Sequence, residues 1–532
     1  MIQYEPVDLT VPLEQLLTSG GDSRLRIDPN TGLNGYGCSP QPRPSAITFA
    51  SCTATSISAG AFAAADALRQ RLVEGTVGGN FEAVVELEFE RIRREISNIY
   101  CGELGAEVIL APSGTDAELY VLEVVLSWGV ERLVNVVTGP RETGKNVCIA
   151  AAGRHFDSRT ALGAAVSSGA LLDGLTEGQI RVEVVPVRDC AGAALASTTI
   201  DLSVTAAVER AIEHGCHVVL HVLEPSKTGL LAPSHDTIAD LKQRHPTHLD
   251  VLVDASQLRT SEHTIATYLR ENCMVLLTGS KFMTGPPFAG ALLLPHELAD
   301  RVRDAAPLPG LSGYSTYCEW PKRWPRLRAG LCRRPNIGLL LRWEAALREL
   351  QTFFAVPTTQ AKSCLVAVGD AIVGSIKQRP NLRPISTIPI CRSQTTGEAW
   401  DNAPSIFAFA IFHNQRCLEL SELSRIYRWL NQDISTKLPA TASRTDLSLA
   451  ATLCHVAQPI QIAEGVAREV AVMRVSIGAR LVSRVAFDQS RGSTTEVRLK
   501  REFEELTRMF AKLDLILRLF DDLSSDPAQP YN

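Results

Sequence analysis

The 532-residue chain lacks any apolar run of the roughly 18–20 residues needed to cross a bilayer. Its first residues, MIQYEPVDLTVPLEQLL, lack the basic region and apolar core of a secretory leader. An excess of charge of one sign is also missing. The 53 Lys and Arg stand against 58 Asp and Glu, and that balance gives no reason to expect a nucleic-acid or membrane partner. The 13 cysteines are odd in number and hold no CxxC pair, which reads as reduced thiols rather than a disulfide framework or zinc site. The expectation is a cytoplasmic protein with no metal centre. Internal repeats and low-complexity segments are lacking too. What remains is a globular composition in a chain long enough for two or three domains.

Residues 20–50 are rich in Gly, Pro and Ser and read as an extended arm with turns. Helical periodicity runs from about 57 to 99. From 107 to 305, short apolar runs (NVCIAAA, VEVVPV, HVVLHVL, LDVLVDA, CMVLLTG, AGALLLP) alternate with helix-like stretches. That alternation predicts an α/β fold with a mostly parallel sheet covered on both faces, and ligands in such folds sit at the carboxyl ends of the strands. After about 315 come a Trp/Arg-rich junction and a helical stretch over 336–378. Strand candidates RPISTI, SIFAFAIF and REVAVMRVSIG follow, then a closing helix. The expected division is an arm (1–56), a large α/β domain (57–315) and a smaller α+β domain (316–532).

Four segments at predicted strand ends carry candidate chemistry. ILAPSGTDAELY, 109–120, places a Ser-Gly-Thr turn before a helix; backbone amides there suit a phosphate, or serve as a plain helix cap. VLVDASQL ends an apolar strand on Asp254, a carboxylate that burial penalises unless it meets a cation or donors. LLTGSKFMTGPPFAGALLLP, 276–295, sets Lys281 between two apolar runs, where desolvation lowers an amine's pKa and frees it as a nucleophile. GRHFDS, following the predicted strand NVCIAAA, offers the flat side chain of His155.

In this order, the segments resemble the fold type I pyridoxal 5'-phosphate (PLP) enzymes, in particular the class V aminotransferase and cysteine desulfurase branch. The resemblance implies that Lys281 forms the Schiff base and that Asp254 and Gln257 hold the pyridine nitrogen and phenolic oxygen. It further implies that Gly114 and Thr115 cradle the phosphate, with Thr278 and Ser280 adding hydroxyls, and that His155 stacks on the ring. The implied activity is that of a PLP-dependent transferase or lyase joining an L-amino acid to the cofactor and stabilising a carbanion, with transamination, elimination and carbon–carbon bond formation all open. A homodimer is implied as well. The family's substrate-carboxylate arginine matches Arg474 in VMRVSIGARL, with Arg392 in PICRSQTTG as the alternative. The resemblance also implies that the arm stretch ITFASCTATSIS lines the site's mouth, with Ser51 and Thr53 as substrate contacts or, equally, as helix caps.

The sequence departs from that branch in two places. Ser280 stands before the lysine where a basic or aromatic residue is usual. EPSKTG follows HVVLHVL where an asparagine is expected, leaving Ser226 as its substitute. These departures, with the cations at 322–334 (Lys322, Arg323, Arg326, Arg328, Arg333, Arg334), open a specialised alternative. By analogy it activates S-adenosylmethionine at the γ-carbon and couples it to a phosphate-bearing second substrate such as a nicotinamide dinucleotide, clamped by the junction arginines. A non-catalytic PLP-fold protein is the remaining alternative. GPRETGKN, 139–146, nearly spells a P-loop, but Asn146 replaces the required Ser or Thr and a strand rather than a helix is predicted next. Cys391 reads as a buried thiol rather than a desulfurase nucleophile.

Overall fold

The structure, a computed structural model, describes residues 8–388, 390, 392, 399–464 and 469–525; Cys391 lies outside them. The arm contributes one short strand, β1 (Ile47–Phe49). A seven-stranded sheet follows from β2 (Glu107–Ala111), β3 (Leu133–Thr138), β4 (Ile180–Val185), β5 (His217–Leu223), β6 (Leu249–Ala255), β7 (Met274–Thr278) and β8 (Gly290–Leu294). Its spatial order is β2-β8-β7-β6-β5-β3-β4. The pairs from β7 through β4 are parallel, and β8 runs antiparallel to both its neighbours. Six strands therefore present their carboxyl ends on one edge. β5, β6 and β7 are Val/Leu-rich and buried almost throughout, as strands covered on both faces must be.

A second sheet is built from β9 (Leu382–Pro384), β10 (Ile406–His413), β11 (Arg416–Cys417), β12 (Cys454–Glu464) and β13 (Glu469–Ser476), in the order β1-β12-β13-β10-β11 with β9 beside β10. The arm strand β1 joins it in parallel with β12, so the first fifty residues are woven into the last hundred. Helices Ile337–Phe354 and Thr358–Lys377 span the long helical stretch, interrupted at Pro357, which cannot donate to a continuing helix. Arg342 on the first of these is fully buried. It donates to the carbonyls of Leu17 (3.0 Å), Gly20 (2.8 Å) and Phe288 (2.7 Å), fixing the arm against the loop that precedes β8.

One strand prediction is overturned. NVCIAAA is not a strand: Val147–Ala151 is a short helix, and the strand before it is LVNVVT. The strand is interrupted in sequence by Asn135. That side chain is buried and satisfied, donating to Ala151 O at 2.7 Å while its Oδ1 meets His221 Nε2 at 3.0 Å. β12 was not foreseen either; its Pro459 and two glutamines hide the alternation, and its pairing with β13 carries register shifts.

Candidate functional site

At the carboxyl edge of the large sheet lies a cavity of about 580 Å³. Lys281, Asp254, Gly114, Thr115, Thr278, Ser280, Thr53 and Arg474 all line it, drawn from five segments of the chain that the sequence separates by up to 421 positions.

Asp254 sits one residue before the end of β6 and is 8% exposed. Its Oδ2 accepts from Thr143 Oγ1 at 2.6 Å, and its Oδ1 accepts from the Ser256 amide at 3.0 Å and from the Ser256 hydroxyl. Three donors thus offset the desolvation that burial imposes on a carboxylate. Lys281 follows β7, on the neighbouring strand end. Its amine has no hydrogen-bond or ion-pair partner among the described residues. Burial pushes its pKa below the usual lysine range; the Asp254 carboxylate opposes this and the Arg474 guanidinium adds to it. A free amine of lowered basicity facing a cavity is a nucleophile in waiting.

The phosphate turn is a helix start. Ser113 caps helix Gly114–Ser127, its Oγ accepting from the Asp116 amide at 3.2 Å. Gly114 is closely approached: a Cβ there would stand 3.2 Å from Leu276 Cδ2, 3.6 Å from Thr278 Cγ2 and 3.8 Å from Ser256 Cβ, all on the cavity wall. Thr278 Oγ1 donates to Ser256 O at 2.8 Å and accepts from Ser280 Oγ at 3.3 Å. Arg24, from the arm, reaches the same cup. It donates to Ser113 Oγ at 3.4 Å, pairs with Asp22 and lies 4.8 Å from the Phe288 ring centre.

Arg474, on β13, is 2% exposed. It donates to Gln458 O (2.8 Å), Lys227 O (3.1 Å) and Thr53 Oγ1 (3.1 Å), and no carboxylate pairs with it among the described residues. A buried guanidinium without a carboxylate counter-ion, opening on a cavity, is a ready site for an anionic group.

Five predicted site residues are elsewhere. His155 does not reach the cavity; its Nδ1 meets Tyr314 Oη at 2.7 Å and its ring stacks on Tyr314. The error follows from the misplaced strand: the segment that leaves β3 is GPRETGKN, and it brings Thr143, Gly144 and Lys145 to the cavity instead. That loop leads into a helix, so one of the two grounds for setting aside the P-loop likeness fails, while Asn146 still stands in the Ser/Thr position. Gln257 turns away and donates to Cys52 O at 3.1 Å. Ser226 donates to Glu142 Oε2 at 2.8 Å inside a buried network. Ser51 accepts from Arg259 Nη2 at 2.9 Å. Arg392 pairs with Glu224 at 2.7 Å, in the protein interior. The short polar side chains were consumed by neighbouring backbone and charges, which residue type alone does not reveal.

The junction cations also lie apart. Lys322 and Arg328 pair with Glu86, and Arg323 pairs with Asp300 and with Glu107, the first residue of β2. The cavity is at the other end of that strand, roughly 14 Å away at about 3.4 Å per residue. Trp320 and Trp324 are buried packing. The junction is no clamp for a bound molecule in this cavity.

Several cavity residues were missed: Arg24, Tyr36, Glu118, Thr143, Lys145, Lys227 and Phe288. Tyr36 and Phe288 supply the aromatic surfaces, and Phe288 is held at φ 71°, a conformation that its surroundings must enforce. Glu118 is 2% exposed, with Oε1 unpartnered. Burial raises Glu118 far above the carboxylate range, and Asp254 adds to that; burial likewise lowers His221 to about 4. In their 3.6 Å contact, burial disfavours the charged form of both groups. Lys227 had a legible signal, since EPSKTG follows a strand just as Lys281 does.

The fold is similar to those of solved cysteine desulfurases and a related protein. Cysteine desulfurase CsdA from Escherichia coli is 12% identical, with 88% of this chain and 95% of that one covered and a TM-score of 0.49. A NifS-like protein is 13% identical, covering 87% and 99%, at 0.48. The apo cysteine desulfurase from Thermococcus onnurineus NA1 is 11% identical, covering 90% and 95%, at 0.49. No protein-family model matches the chain, and no curated protein does. Among the described residues, no helix is long and apolar enough to cross a membrane, and no cluster of His, Cys, Asp and Glu is suited to a metal ion.

Proposed function

We propose that this protein is a PLP-dependent enzyme acting on an L-amino acid at the cavity above β6 and β7. The observation that carries the reading is the unpartnered amine of Lys281 beside the buried, triply hydrogen-bonded carboxylate of Asp254 on adjacent strand ends. The donor set around them suits the cofactor. The Gly114 and Thr115 amides, the Thr278 and Ser280 hydroxyls and Arg24 would hold its phosphate, and Asp254 would hold its ring nitrogen. When bound, PLP supplies an electrophilic carbon and an electron-withdrawing ring that stabilises negative charge on an attached carbon.

The chain's own residues supply the rest. Lys281, held short of full basicity by burial, offers its amine as nucleophile and as proton carrier. Arg474 grips the substrate carboxylate, since no carboxylate of the described residues pairs with it. Tyr36 and Phe288 exclude water from the cup side.

One observation favours room for a second substrate. A smaller cavity of about 260 Å³ shares Pro140 and Arg141 with the first and continues along β12 at Ile462 and Ala463. Activation of S-adenosylmethionine at its γ-carbon, with transfer to a second molecule, would use such a space; release of methylthioadenosine identifies it.

The test is a visible absorption spectrum of the full chain with PLP, followed by titration with L-amino acids and S-adenosylmethionine. A visible band absent from Lys281→Ala and shifted by one substrate supports the reading. No band in the wild-type chain overturns it and leaves the non-catalytic alternative.

A further inference from the structure

The cavity holds a second lysine that the reading above does not use. Lys227 leaves β5 as Lys281 leaves β7, and Asp254 on β6 lies between them. Lys227 stands four residues beyond β5 and Lys281 three beyond β7, and both line the cavity with Asp254 from the strand between them. The Lys227 backbone is fixed at both ends: its amide donates to Glu142 O at 2.9 Å and its carbonyl accepts from Arg474 Nη1 at 3.1 Å. Its amine has no hydrogen-bond or ion-pair partner among the described residues. A lysine with a pinned backbone and an unengaged head group, next to the guanidinium that grips substrate, is placed for chemistry rather than for stability.

We propose that Lys227 is a second catalytic base of this cavity, taking a proton from the substrate α-carbon beside Arg474. The inference rests on the PLP reading. In the step, the Cα–H bond breaks with its electron pair left on the substrate carbon. The proton passes to the neutral Nζ of Lys227, and the resulting ammonium returns it to substrate or solvent. No oxidant or further reactant is needed. A base must be neutral near the working pH, and the surroundings favour that. The amine is brought down to about 7, chiefly by burial and then by Arg474 on β13 and Lys281 beyond β7, with Glu142 beyond β3 and Asp254 on β6 opposing them. Arg141 and Lys145 on the β3 loop also line the cavity and add positive charge.

Two measurements on the full chain test this. The first needs no cofactor: the pH dependence of trace acetylation by acetic anhydride, read at each lysine by peptide mass spectrometry. Lys227 is expected to become reactive about 3 pH units earlier than an ordinary lysine, whose pKa is about 10.4. A Lys227 midpoint near that ordinary value overturns the proposal.

The second uses PLP and L-alanine in deuterium oxide, following α-proton exchange by NMR in the wild type, Lys227→Met and Lys227→Arg. Both variants are expected to keep the visible PLP band while exchange falls by about 10²-fold or more near neutral pH. The wild-type rise of exchange with pH through about 7 should also vanish. Unchanged exchange in a Lys227→Met chain that keeps the band overturns Lys227 as base and leaves the cofactor reading intact. A wild-type chain that shows no band overturns the cofactor reading itself, and the proposal with it.

Discussion

Replacing Glu142 with alanine should cost this protein about 3–5 kcal/mol, the usual consequence of leaving one half of a buried ion pair behind. Glu142 is 2% exposed and accepts from Arg188 Nε (2.6 Å), Ser226 Oγ (2.8 Å), the Thr228 amide (3.1 Å) and Thr228 Oγ1 (2.8 Å). Arg188 is equally enclosed, and its other donors reach Gly192 O at 2.9 Å and Thr228 Oγ1 at 2.7 Å. No second carboxylate pairs with it among the described residues, so the truncated protein would bury an uncompensated guanidinium. This network also ties the loop bearing Thr143 and Lys145 to the loop bearing Lys227, so losing it loosens two walls of the cavity at once. The assay is urea unfolding of Glu142→Ala, Arg188→Ala and the double variant, with midpoint and slope compared. Each single change is expected to be severe. The double variant should be less damaging than their sum by up to about 3 kcal/mol, because removing the second partner removes an unpaired charge. A Glu142→Ala loss below about 1 kcal/mol, as for an exposed pair, would refute the reasoning, and so would effects that add within about 0.5 kcal/mol.

Three further outcomes follow from the geometry. Burial raises the Glu123 carboxyl to about 7, so between its ordinary value of 4.5 and about 7 the folded state binds more protons than the unfolded. Stability therefore falls as pH rises through that window, and Glu123→Gln should flatten the slope of urea midpoint against pH there. Arg474→Met should keep the PLP band but require about 30-fold more amino acid to shift it, since losing one partner of a buried charge contact costs about 2 kcal/mol or more; an unchanged titration would remove Arg474 from the substrate site. Gly290→Ala should destabilise by about 1–3 kcal/mol and weaken PLP binding. A Cβ there would stand 2.9 Å from Ser113 C and 3.1 Å from Ala111 O, both backbone, so β8 would have to part from the phosphate turn.

The architecture was legible because β5, β6 and β7 are dominated by Val and Leu, and because Asp254, near the end of β6, and Lys281, three residues beyond β7, put charge where burial penalises it unless chemistry requires it. β3 was misread because Asn135 sits buried within it, satisfied by a helix carbonyl and a histidine that no local pattern announces. That single slip put His155 at the cavity in place of the loop that leaves β3, which brings Thr143, Gly144 and Lys145 there. Gln257, Ser226 and Ser51 failed for another reason: each lies within two residues of a true wall residue, and side-chain direction decides which of them faces the cavity. Arg474 was legible from its strand, whereas Arg24 and Tyr36 were not, since an arm rich in Gly and Pro shows no periodicity from which to read a facing side.

The central claim is that Lys281 is the residue that takes up PLP. It is tested most directly by incubating the full chain with PLP, reducing with borohydride and mapping the modified lysine by peptide mass spectrometry. The account predicts one stoichiometric modification, on the peptide containing Lys281, with Lys227 and Lys145 unmodified. Modification centred on either of those lysines, or none above the level of exposed surface lysines, would contradict it.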